Sequence, residues 1–524
     1  MSNQDAVNTL RQAAERHQRG DLAEARRLYS LVLRREPGNA EALHLAGVAE
    51  AQSGSAETGL TLLDRAVLAD ARNPVIRVNQ SLVFSSLGRM TEALGSADAA
   101  CLVAPTFAPA HATRGDLLHS SGRFDEAAAS FARAAALTPE DGSLQVRLGN
   151  SLAMLGRFEE ALSAFSRAAR LDPGDPHAHM QQGICLLLLH RHEAALRCLD
   201  HAVGLAPDFA DAHNARAVVL LTLGDYRRGL PELEWRWTAA STSSSRERRE
   251  YRQPRWTGRE PLAGKRILLY NEQGLGDTLQ FCRYVDLVAS KGATVILQAQ
   301  RPLMKLLQQL SGASQVVADD EAPPEFDLHC ALMSLPLAFE TSVESVPAPV
   351  PYLQADPARV AAWQQRLGPR NHPRVGLMWS GNPENLQDRY RSFPLAEWLP
   401  HLPQGFEYFS LQRFVRDEDC AALNGGVVRD LSAEQHEFDD AAALCACMDL
   451  VISVCTSVAH LSGAMGRPTW ILLARQADWR WLLHRGDSPW YPTARLYRQD
   501  SAGDWSHVFS RVASDLAREI KLKT

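Results

Sequence analysis

Two stretches of the chain repeat one pattern 34 residues apart, GRFDEAAASFARAAALTP at residues 122–139 and GRFEEALSAFSRAARLDP at residues 156–173. A fixed period of this length is the sequence signature of a repeat architecture. Glycine keeps the same step beyond these stretches, and His190 takes the one place where glycine is missing. The glycines are Gly20, Gly54, Gly88, Gly122, Gly156 and Gly224. Because glycine carries little penalty in the left-handed conformation, each is predicted to end a helix.

Three further series keep the same step. Proline is predicted to stop the second helix of each unit, and small residues are predicted where two helices cross closely. The prolines are Pro37, Pro105, Pro139, Pro173 and Pro207, with Ala71 substituting once. The small residues are Ala25, Gly59, Ala93, Ala127, Ala161, Ala195 and Gly229, and then Ala66, Ala100, Ala134, Ala168 and Ala202. The four series resemble tetratricopeptide repeats, and the resemblance covers roughly residues 6–237 as about seven helix pairs.

Stacked helix pairs leave an extended concave groove that usually docks a protein. One row of inward positions, read at the same step, is mainly apolar with a polar middle. The row is Val48, Leu82, Asp116, Asn150, Ile184 and Val218. An apolar groove suits a partner that offers an amphipathic helix, so we predict a protein-acceptor groove here. The alternative is that these side chains only pack between neighbouring repeats.

Composition excludes several classes of protein. The chain has 524 residues, 45% of them hydrophobic, and a formal net charge of -6, so no basic excess favours nucleic acid as the main partner. Its start is polar, and an apolar run such as residues 184–189 is far shorter than the ~18 residues of a membrane span. We therefore expect a cytoplasmic protein. The nine cysteines contain no CxxC pair, so we expect neither a disulfide framework nor a metal site.

Beyond the repeats, the pattern changes to alternating strands and helices. A polar, Ser-rich segment at residues 238–262 is predicted to be a linker. Residues 266–270 (RILLY) and 293–299 (ATVILQA) read as parallel strands around a helix at 278–291. A second α/β series begins at residue 374 and ends in a helix near residues 508–520. The predicted domains are therefore 1–237 (repeats), 263–357 (N-terminal Rossmann-like lobe) and 358–524 (C-terminal lobe).

The first candidate site is the glycine-rich turn NEQGLGD, residues 271–277. Its glycines allow a ligand to approach the backbone closely, and the helix that follows favours an anion. Asp277 is a candidate general base for an attacking hydroxyl. The alternative is that Asp277 only caps a helix that begins at Thr278. The candidate donor-binding residues at this turn are Gln273, Gly274, Gly276 and Thr278.

The second turn contains Thr456, Ser457 and His460. Hydroxyl and N–H groups at a helix start can hold a phosphate, and His460 is predicted to lie one turn further along the same face. The alternative is a simple helix cap with His460 packed inside the lobe. Arg389 and Arg391 are predicted in a loop after a strand, where they would neutralise a leaving phosphate, unless they are ordinary solvated arginines.

Four motifs in order carry a second resemblance: NEQGLGDTLQFCRY, LMWSGNP with DRYRSFPL, VCTSVAHLSGAMGRPTWILL and DWRWLLHRGDSPWYP. They are similar to bacterial TPR-fused glycosyltransferases whose catalytic part resembles the heptosyltransferase family, family nine, of GT-B fold. Some relatives of this architecture attach nonulosonic acids from CMP-activated donors to Ser or Thr of flagellin. The resemblance implies an α-solenoid followed by a GT-B-like module of two Rossmann-like lobes, acting without metal or cofactor.

The resemblance also implies roles for individual residues. Asp277 matches the aspartate proposed as general base, and Thr456, Ser457 and His460 match the turn that binds the donor's nucleotide and phosphate. Arg391 falls near a basic residue that contacts the donor phosphate. Cys455 departs from the family pattern, which has aspartate at this position.

These observations predict a protein O-glycosyltransferase. It would transfer a sugar from a CMP-nonulosonate, such as pseudaminic or legionaminic acid, or from an ADP-heptose-like donor, to an acceptor held by the repeats, with flagellin expected as that acceptor. The alternative of a different class is a non-catalytic adaptor or chaperone-like protein with a degenerate transferase module. A dinucleotide oxidoreductase is disfavoured, because Leu279 stands where the GxGxxG pattern has its third glycine.

Overall fold

The computed structural model describes residues 3–242, 244, 248–385 and 388–519. The chain divides into two compact units, Met1–Pro207 and Asp208–Thr524. Within the described residues, no helix combines the length and the apolarity that crossing a membrane requires.

The first unit consists of helices that pack as consecutive antiparallel pairs. They are α1 (Asn3–Gln18), α2 (Leu22–Arg35), α3 (Ala40–Gln52), α4 (Ala56–Ala69), α5 (Pro74–Ser86), α6 (Met90–Val103), α7 (Ala108–Ser120), α8 (Phe124–Leu137), α9 (Gly142–Met154), α10 (Phe158–Leu171), α11 (Pro176–Leu188) and α12 (His192–Leu205). The first half of the chain is therefore a tetratricopeptide α-solenoid, as the 34-residue period predicts.

The predicted helix ends are confirmed. All six phased glycines have a positive φ, between 72° at Gly88 and 87° at Gly54, and His190 adopts the same conformation with φ 58°. A helix stops two residues before each phased proline, as α8 does at Leu137 before Pro139. The chain thus keeps the turn geometry where its sequence departs from glycine.

The small residues lie where they are predicted, at close helix crossings. Ala127 and Ala161 are fully buried. A Cβ atom on Gly59 would lie 2.6 Å from the main-chain oxygen of Gly47 in the partner helix, a distance that no side chain tolerates. Helix pairs of this unit therefore approach one another through their backbones.

The second unit begins with one more helix pair and continues as α/β structure. Its elements are α13 (Ala210–Thr222), α14 (Tyr226–Leu233), β1 (Arg266–Tyr270), α15 (Leu275–Phe281), α16 (Val285–Ser290), β2 (Thr294–Ala299), α17 (Met304–Leu307), β3 (Ala313–Ala318), β4 (Leu328–Ala331), α18 (Leu335–Ala338), α19 (Pro357–Leu367), β5 (Arg374–Met378), α20 (Asp388–Arg391), α21 (Leu395–Trp398), β6 (Glu407–Ser410), α22 (Asp417–Asn424), β7 (Val428–Arg429), α23 (Phe438–Cys447), β8 (Leu450–Val454), α24 (Ser457–Ala464), β9 (Thr469–Leu473), β10 (Ala494–Arg498) and α25 (Ser506–Glu519).

The strands form two parallel sheets. The four-stranded sheet has the order β3-β2-β1-β4, and the six-stranded sheet has the order β10-β9-β8-β5-β6-β7. β1 pairs with β2 through Ile267 and Val295, and β5 pairs with β8 through Val375 and Leu450. The central strands are buried along their length, which explains their continuous apolar sequences.

Three features differ from the sequence prediction. The last helix pair, α13 and α14, groups with the α/β unit, whereas the predicted repeat domain runs to residue 237. The predicted helix at 278–291 begins at Leu275 and is interrupted by a 3-10 turn, Cys282–Tyr284. Residues 243 and 245–247 of the predicted linker, and residue 520 of the last predicted helix, lie outside the described residues.

Candidate functional site

The six-stranded sheet reverses its strand order between β5 and β8. From β5 the chain adds β6 and β7 on one side of the sheet, and then β8, β9 and β10 on the other. In open parallel sheets, ligands bind outside the carboxyl ends of the strands at such a switch point. The loop after β5 starts at Trp379 and the loop after β8 starts at Cys455, so these two loops flank the expected binding position.

Asp277 lies in the first turn of α15, which follows β1. Gly274 is the residue that precedes the helix, and the N–H of Gly274 donates to Oδ2 of Asp277 at 2.9 Å. The sequence alternative of a cap at residue 277 is therefore wrong in its position, because Asp277 is the third helical residue and reaches back to the helix start. Its side chain keeps 20% of its surface exposed, enough for contact with a bound hydroxyl.

Arg480 binds the other oxygen of that carboxylate. Its Nη2 donates to Oδ1 of Asp277 at 2.5 Å, and its Nη1 donates to both oxygens of Asp478 at 2.9 Å. Burial raises the pKa of Asp277, and the guanidinium of Arg480 acts in the opposite direction. A carboxylate with a raised pKa is a better proton acceptor than one in water.

The start of α15 packs against the start of α24. A Cβ atom on Gly276 would lie 2.9 Å from Cδ2 of His460 and 3.6 Å from the Cα of Ser457. Glycine is therefore required at residue 276 for this approach. The contact places Asp277, the next residue, beside the first turn of α24, although 175 residues separate the two helices in sequence.

His460 is a buried, neutral ring. Its Nδ1 pairs with the Tyr491 hydroxyl at 2.9 Å, and its ring stacks on Trp481 with 5.4 Å between centroids. Burial, together with Arg480, lowers the pKa of His460 to about 3. The side chain therefore fixes the packing of α24 on α15 and carries no positive charge toward a phosphate at neutral pH.

Arg391 connects the two loops of the switch point. Its Nη1 donates to the main-chain oxygen of Cys455 at 2.6 Å, and its Nε donates to Asp388 at 2.9 Å. Arg416 pairs with the same buried Asp388. Gly381 leaves room for this cluster, because its Cβ would overlap the Arg391 guanidinium.

The two predicted arginines therefore differ in position. They lie in the short helix α20 and not in the predicted loop. Residues two apart on a helix lie on different faces, so the two side chains have different neighbours. Arg391 reaches the corner at Cys455, whereas Arg389 is exposed and lies over the ring of Tyr390, 4.7 Å from its centroid. The structure joins Arg391, but not Arg389, to the other candidate residues.

The remaining candidates lie within or next to the two turns. Gln273 is exposed with φ 59°, while Thr278 is buried and donates to Gln300 at 2.7 Å. Thr456 is buried, with its hydroxyl 3.1 Å from that of Ser453. Ser457 starts α24 and is half-buried. In this turn the N–H of Ala459 donates to the main-chain oxygen of Thr456 at 3.1 Å. The first two N–H groups of a helix have no helical partner, so this start can receive an anion.

The sequence analysis missed Arg480, which lies in the last of the four motifs, residues 478–492. Trp490 of the same motif is fully buried. The missed signal is an arginine between two tryptophans, in a motif that the second resemblance had already singled out. Trp481 adds a further contact, because its indole N–H donates to the Cys455 sulfur at 3.1 Å.

The predicted groove row lies on the first helix of each repeat, and none of its six residues is fully buried. Leu82 is 50% exposed, while Val48 packs against the core cluster of its repeats. Asp116 pairs with Arg147 at 2.8 Å. Asn150, Ile184 and Val218 are half-buried. Leu82 is thus the exposed apolar member of the row, and Val48 is the member that best fits the packing alternative.

Comparison with known proteins supports the repeat assignment. Residues 113–176 and 152–219 match the tetratricopeptide repeat family. Protein FlbA from Caulobacter vibrioides is 31% identical over 293 residues, which cover 50% of this chain and 48% of that protein. The chain thus spans about half the length of this curated relative.

Solved structures similar to this chain have low overall agreement with it. The MamA protein is 19% identical and covers 32% of this chain and 92% of its own, with a TM-score of 0.30. YrrB, a TPR protein with an unusual peptide-binding site, is 24% identical over 33% of this chain and 89% of its own, with a TM-score of 0.30. A tetratricopeptide repeat protein from Parabacteroides merdae is 16% identical over 47% and 97%, with a TM-score of 0.36. The chain thus contains tetratricopeptide repeats in its first half and continues into a parallel α/β part.

Proposed function

We propose that this chain is a protein O-glycosyltransferase, with the α/β unit as catalytic part and the repeats as acceptor-binding part. The observation that carries the proposal is the contact between the starts of α15 and α24. It brings a carboxylate with a raised pKa, Asp277, beside a helix start that can receive an anion. This is the pairing that glycosyl transfer from a nucleotide sugar needs.

In the proposed reaction, the hydroxyl oxygen of an acceptor Ser or Thr attacks the anomeric carbon of the donor. Its proton passes to the carboxylate of Asp277 as the new C–O bond forms. The bond between the anomeric carbon and the phosphate oxygen breaks, and its electron pair leaves with the nucleotide phosphate. The N–H groups at the start of α24 and the guanidinium of Arg391 stabilise the charge that develops there. His460, being neutral, holds α24 in place.

The donor is a nucleotide-activated sugar. The resemblance in the sequence favours CMP-nonulosonates, with ADP-heptose-like donors as the second class, and the acceptor we propose is flagellin. The apolar row on the first helices fits such a partner, because Leu82 and Ile184 can accept the apolar face of an amphipathic helix. The reaction needs no metal in this scheme, since main-chain N–H groups and Arg391 supply the positive potential.

One observation favours a second function, that of a protein-binding adaptor. Cys455 stands where the related enzymes have aspartate, and its sulfur accepts a hydrogen bond from Trp481. Burial raises the pKa of this thiol, so it cannot replace the missing carboxylate as an anion. Isothermal titration with CMP- and ADP-sugars separates the two functions, because an adaptor binds neither donor.

The variant that tests the catalytic proposal is Asp277→Asn. Loss of a general base typically lowers the rate by ~10²–10⁴-fold. The amide oxygen of asparagine can keep one of the two hydrogen bonds, so we expect an unchanged fold and unchanged acceptor binding. Asp320→Asn, at an exposed ion pair with Arg301 in the same unit, is the matched control and should keep wild-type turnover. Wild-type turnover by Asp277→Asn would remove this residue from the mechanism.

A further inference from the structure

Arg480 is a buried cation without a role in the reaction as described so far. Only 6% of its side chain is exposed, and its Nε atom has no hydrogen-bond partner within the described chain. The same guanidinium lies over the rings of Trp479 and Phe281, 4.7 Å and 5.4 Å from their centroids. The aromatic contacts and the hydrogen bonds to the carboxylate of Asp478 fix the position of the guanidinium before any ligand binds.

The carboxylate of Asp277 is held at both oxygens. Oδ2 accepts from the N–H of Gly274, and Oδ1 accepts from Arg480. The first bond is local, three residues along the chain, and leaves rotation about the side-chain bonds largely open. The second comes from a segment 203 residues away and selects one orientation of the carboxylate. Each carboxylate oxygen still has a lone pair available for a proton donor.

Charged groups face Asp277 from each element packed around it. Arg480 and Asp478 come from the segment after β9, Glu272 comes from the loop after β1, and the neutral His460 comes from α24. Arg480 is the one cation among these four, and it pairs with two acidic groups, Asp277 and Asp478. Its removal would leave Asp277 partly buried beside Asp478 without a cation between them, because Glu272 keeps its own pair with Arg236.

We propose that Arg480 is the positioning residue for Asp277, holding its carboxylate in the orientation that accepts the proton of the acceptor hydroxyl. This inference rests on the proposed function for its catalytic meaning. Arg480 does not contact the reacting atoms and acts through Asp277. Lysine at this position would keep the charge but lose the planar fork that bonds two carboxylates at once.

A double-mutant cycle tests whether the effect of Arg480 on kcat requires the Asp277 carboxylate. Arg480→Gln should lower kcat on the order of 10²-fold, with little change in the KM for the donor, because a misplaced catalytic group costs this much. In the Asp277→Asn background, the same change should cost almost nothing further. Equal losses in both backgrounds would overturn the proposal. Arg485→Gln, at a more exposed ion pair in the same segment, is the matched control and should leave kcat unchanged.

A second readout does not require turnover. Spectra of the protein with ¹³C-labelled aspartate, with the Asp277 signal assigned through Asp277→Asn, report the pKa of this carboxyl directly. The pKa should rise in Arg480→Gln, and the acid limb of the kcat/KM profile should move to higher pH with it. Arg480→Lys should recover the pKa more fully than kcat. An unchanged pKa in Arg480→Gln would overturn the positioning role, whereas absent transfer by the wild type would overturn only the proposed function.

Discussion

The ring of His460 occupies the space that a side chain at residue 276 would need, so this position requires glycine. The Cβ of an alanine at residue 276 would approach Cδ2 of His460 to 2.9 Å, and that ring is held by Tyr491 and Trp481. We expect Gly276→Ala to destabilise the second unit by about 1–3 kcal/mol, the usual cost of overpacking. Chemical denaturation measures the change. Gly486→Ala, which meets no atom within 4 Å, is the control, and an equal effect of both changes would contradict the account.

His460 makes stability depend on pH in a defined direction. Its folded pKa of about 3 lies below the ordinary value of 6.5, so the unfolded chain binds more protons between these two pH values. Folding therefore loses stability as the pH falls from about 6.5 toward 3, by up to ~1.4 kcal/mol per pH unit. Between pH 7 and pH 5, the unfolding free energy of His460→Asn should fall by about 2 kcal/mol less than that of the wild type.

Unfolding free energies at the two pH values measure this effect. His484→Asn, at an exposed histidine, is the control and should follow the wild type. A pH dependence of His460→Asn equal to that of the wild type would show that this ring does not stay neutral in the fold.

Among individual residues, the sequence identifies the two candidate turns but not the side chains that join them. Asp277 and His460 each follow a buried strand, and the carboxyl ends of parallel strands are where sites form, so their segments were identifiable. Arg480 was not, because its partner Asp277 lies 203 residues earlier and no local pattern marks such a pair. Arg389 and Arg391 look equivalent in sequence, and only the turn of α20 separates their directions.

At the scale of elements, one buried ion pair fastens the end of the last helix pair to the loop after β1. Arg236, in the 3-10 turn Glu234–Trp237 after α14, donates from Nε and Nη2 to the two oxygens of Glu272 at 2.7 Å and 2.6 Å. The two side chains are 1% and 2% exposed. This pairing explains why α13 and α14 group with the α/β structure.

Breaking this pair should be costly. Arg236→Met leaves a buried carboxylate without its partner, and we expect a loss of about 3–5 kcal/mol of unfolding free energy. Arg236→Met combined with Glu272→Leu should be closer to the wild type, because no unpaired charge remains. Arg301→Met removes an exposed pair and should cost at most ~1 kcal/mol. A loss for Arg236→Met as small as that of Arg301→Met would contradict this description.

Elements with strong local signals were predictable. The strand 266–270 was predicted at its observed bounds and the strand 293–299 to within one residue, because buried parallel strands are continuous apolar runs bounded by turns. The interruption after α15 was not, since its cause is distant. Arg283 in the 3-10 turn donates to the main-chain oxygen of Trp490 at 2.6 Å and lies over the ring of Tyr352 at 4.7 Å. Such contacts override a local helix pattern.

For the whole molecule, we propose that the repeats bind the acceptor. Leu82→Asp and Ile184→Asp place charges in the apolar row and should each weaken acceptor binding by ~10-fold or more, since burying one such side chain contributes about 1.5–3 kcal/mol. Leu68→Asp, at a leucine 85% exposed on the second helix of a repeat, is the matched control. Equal affinities of all three variants would place the acceptor elsewhere.

Transfer of a sugar to a protein changes the mass of the acceptor, so intact-mass measurement is the decisive experiment. Purified flagellin is incubated with the full chain and CMP-pseudaminic acid, CMP-legionaminic acid or ADP-heptose, and its intact mass is measured. We expect a gain equal to the mass of one or more glycosyl residues with one of these donors, and no gain with Asp277→Asn. A folded chain that binds flagellin, yet leaves its mass unchanged with every donor, would contradict the account and favour the adaptor.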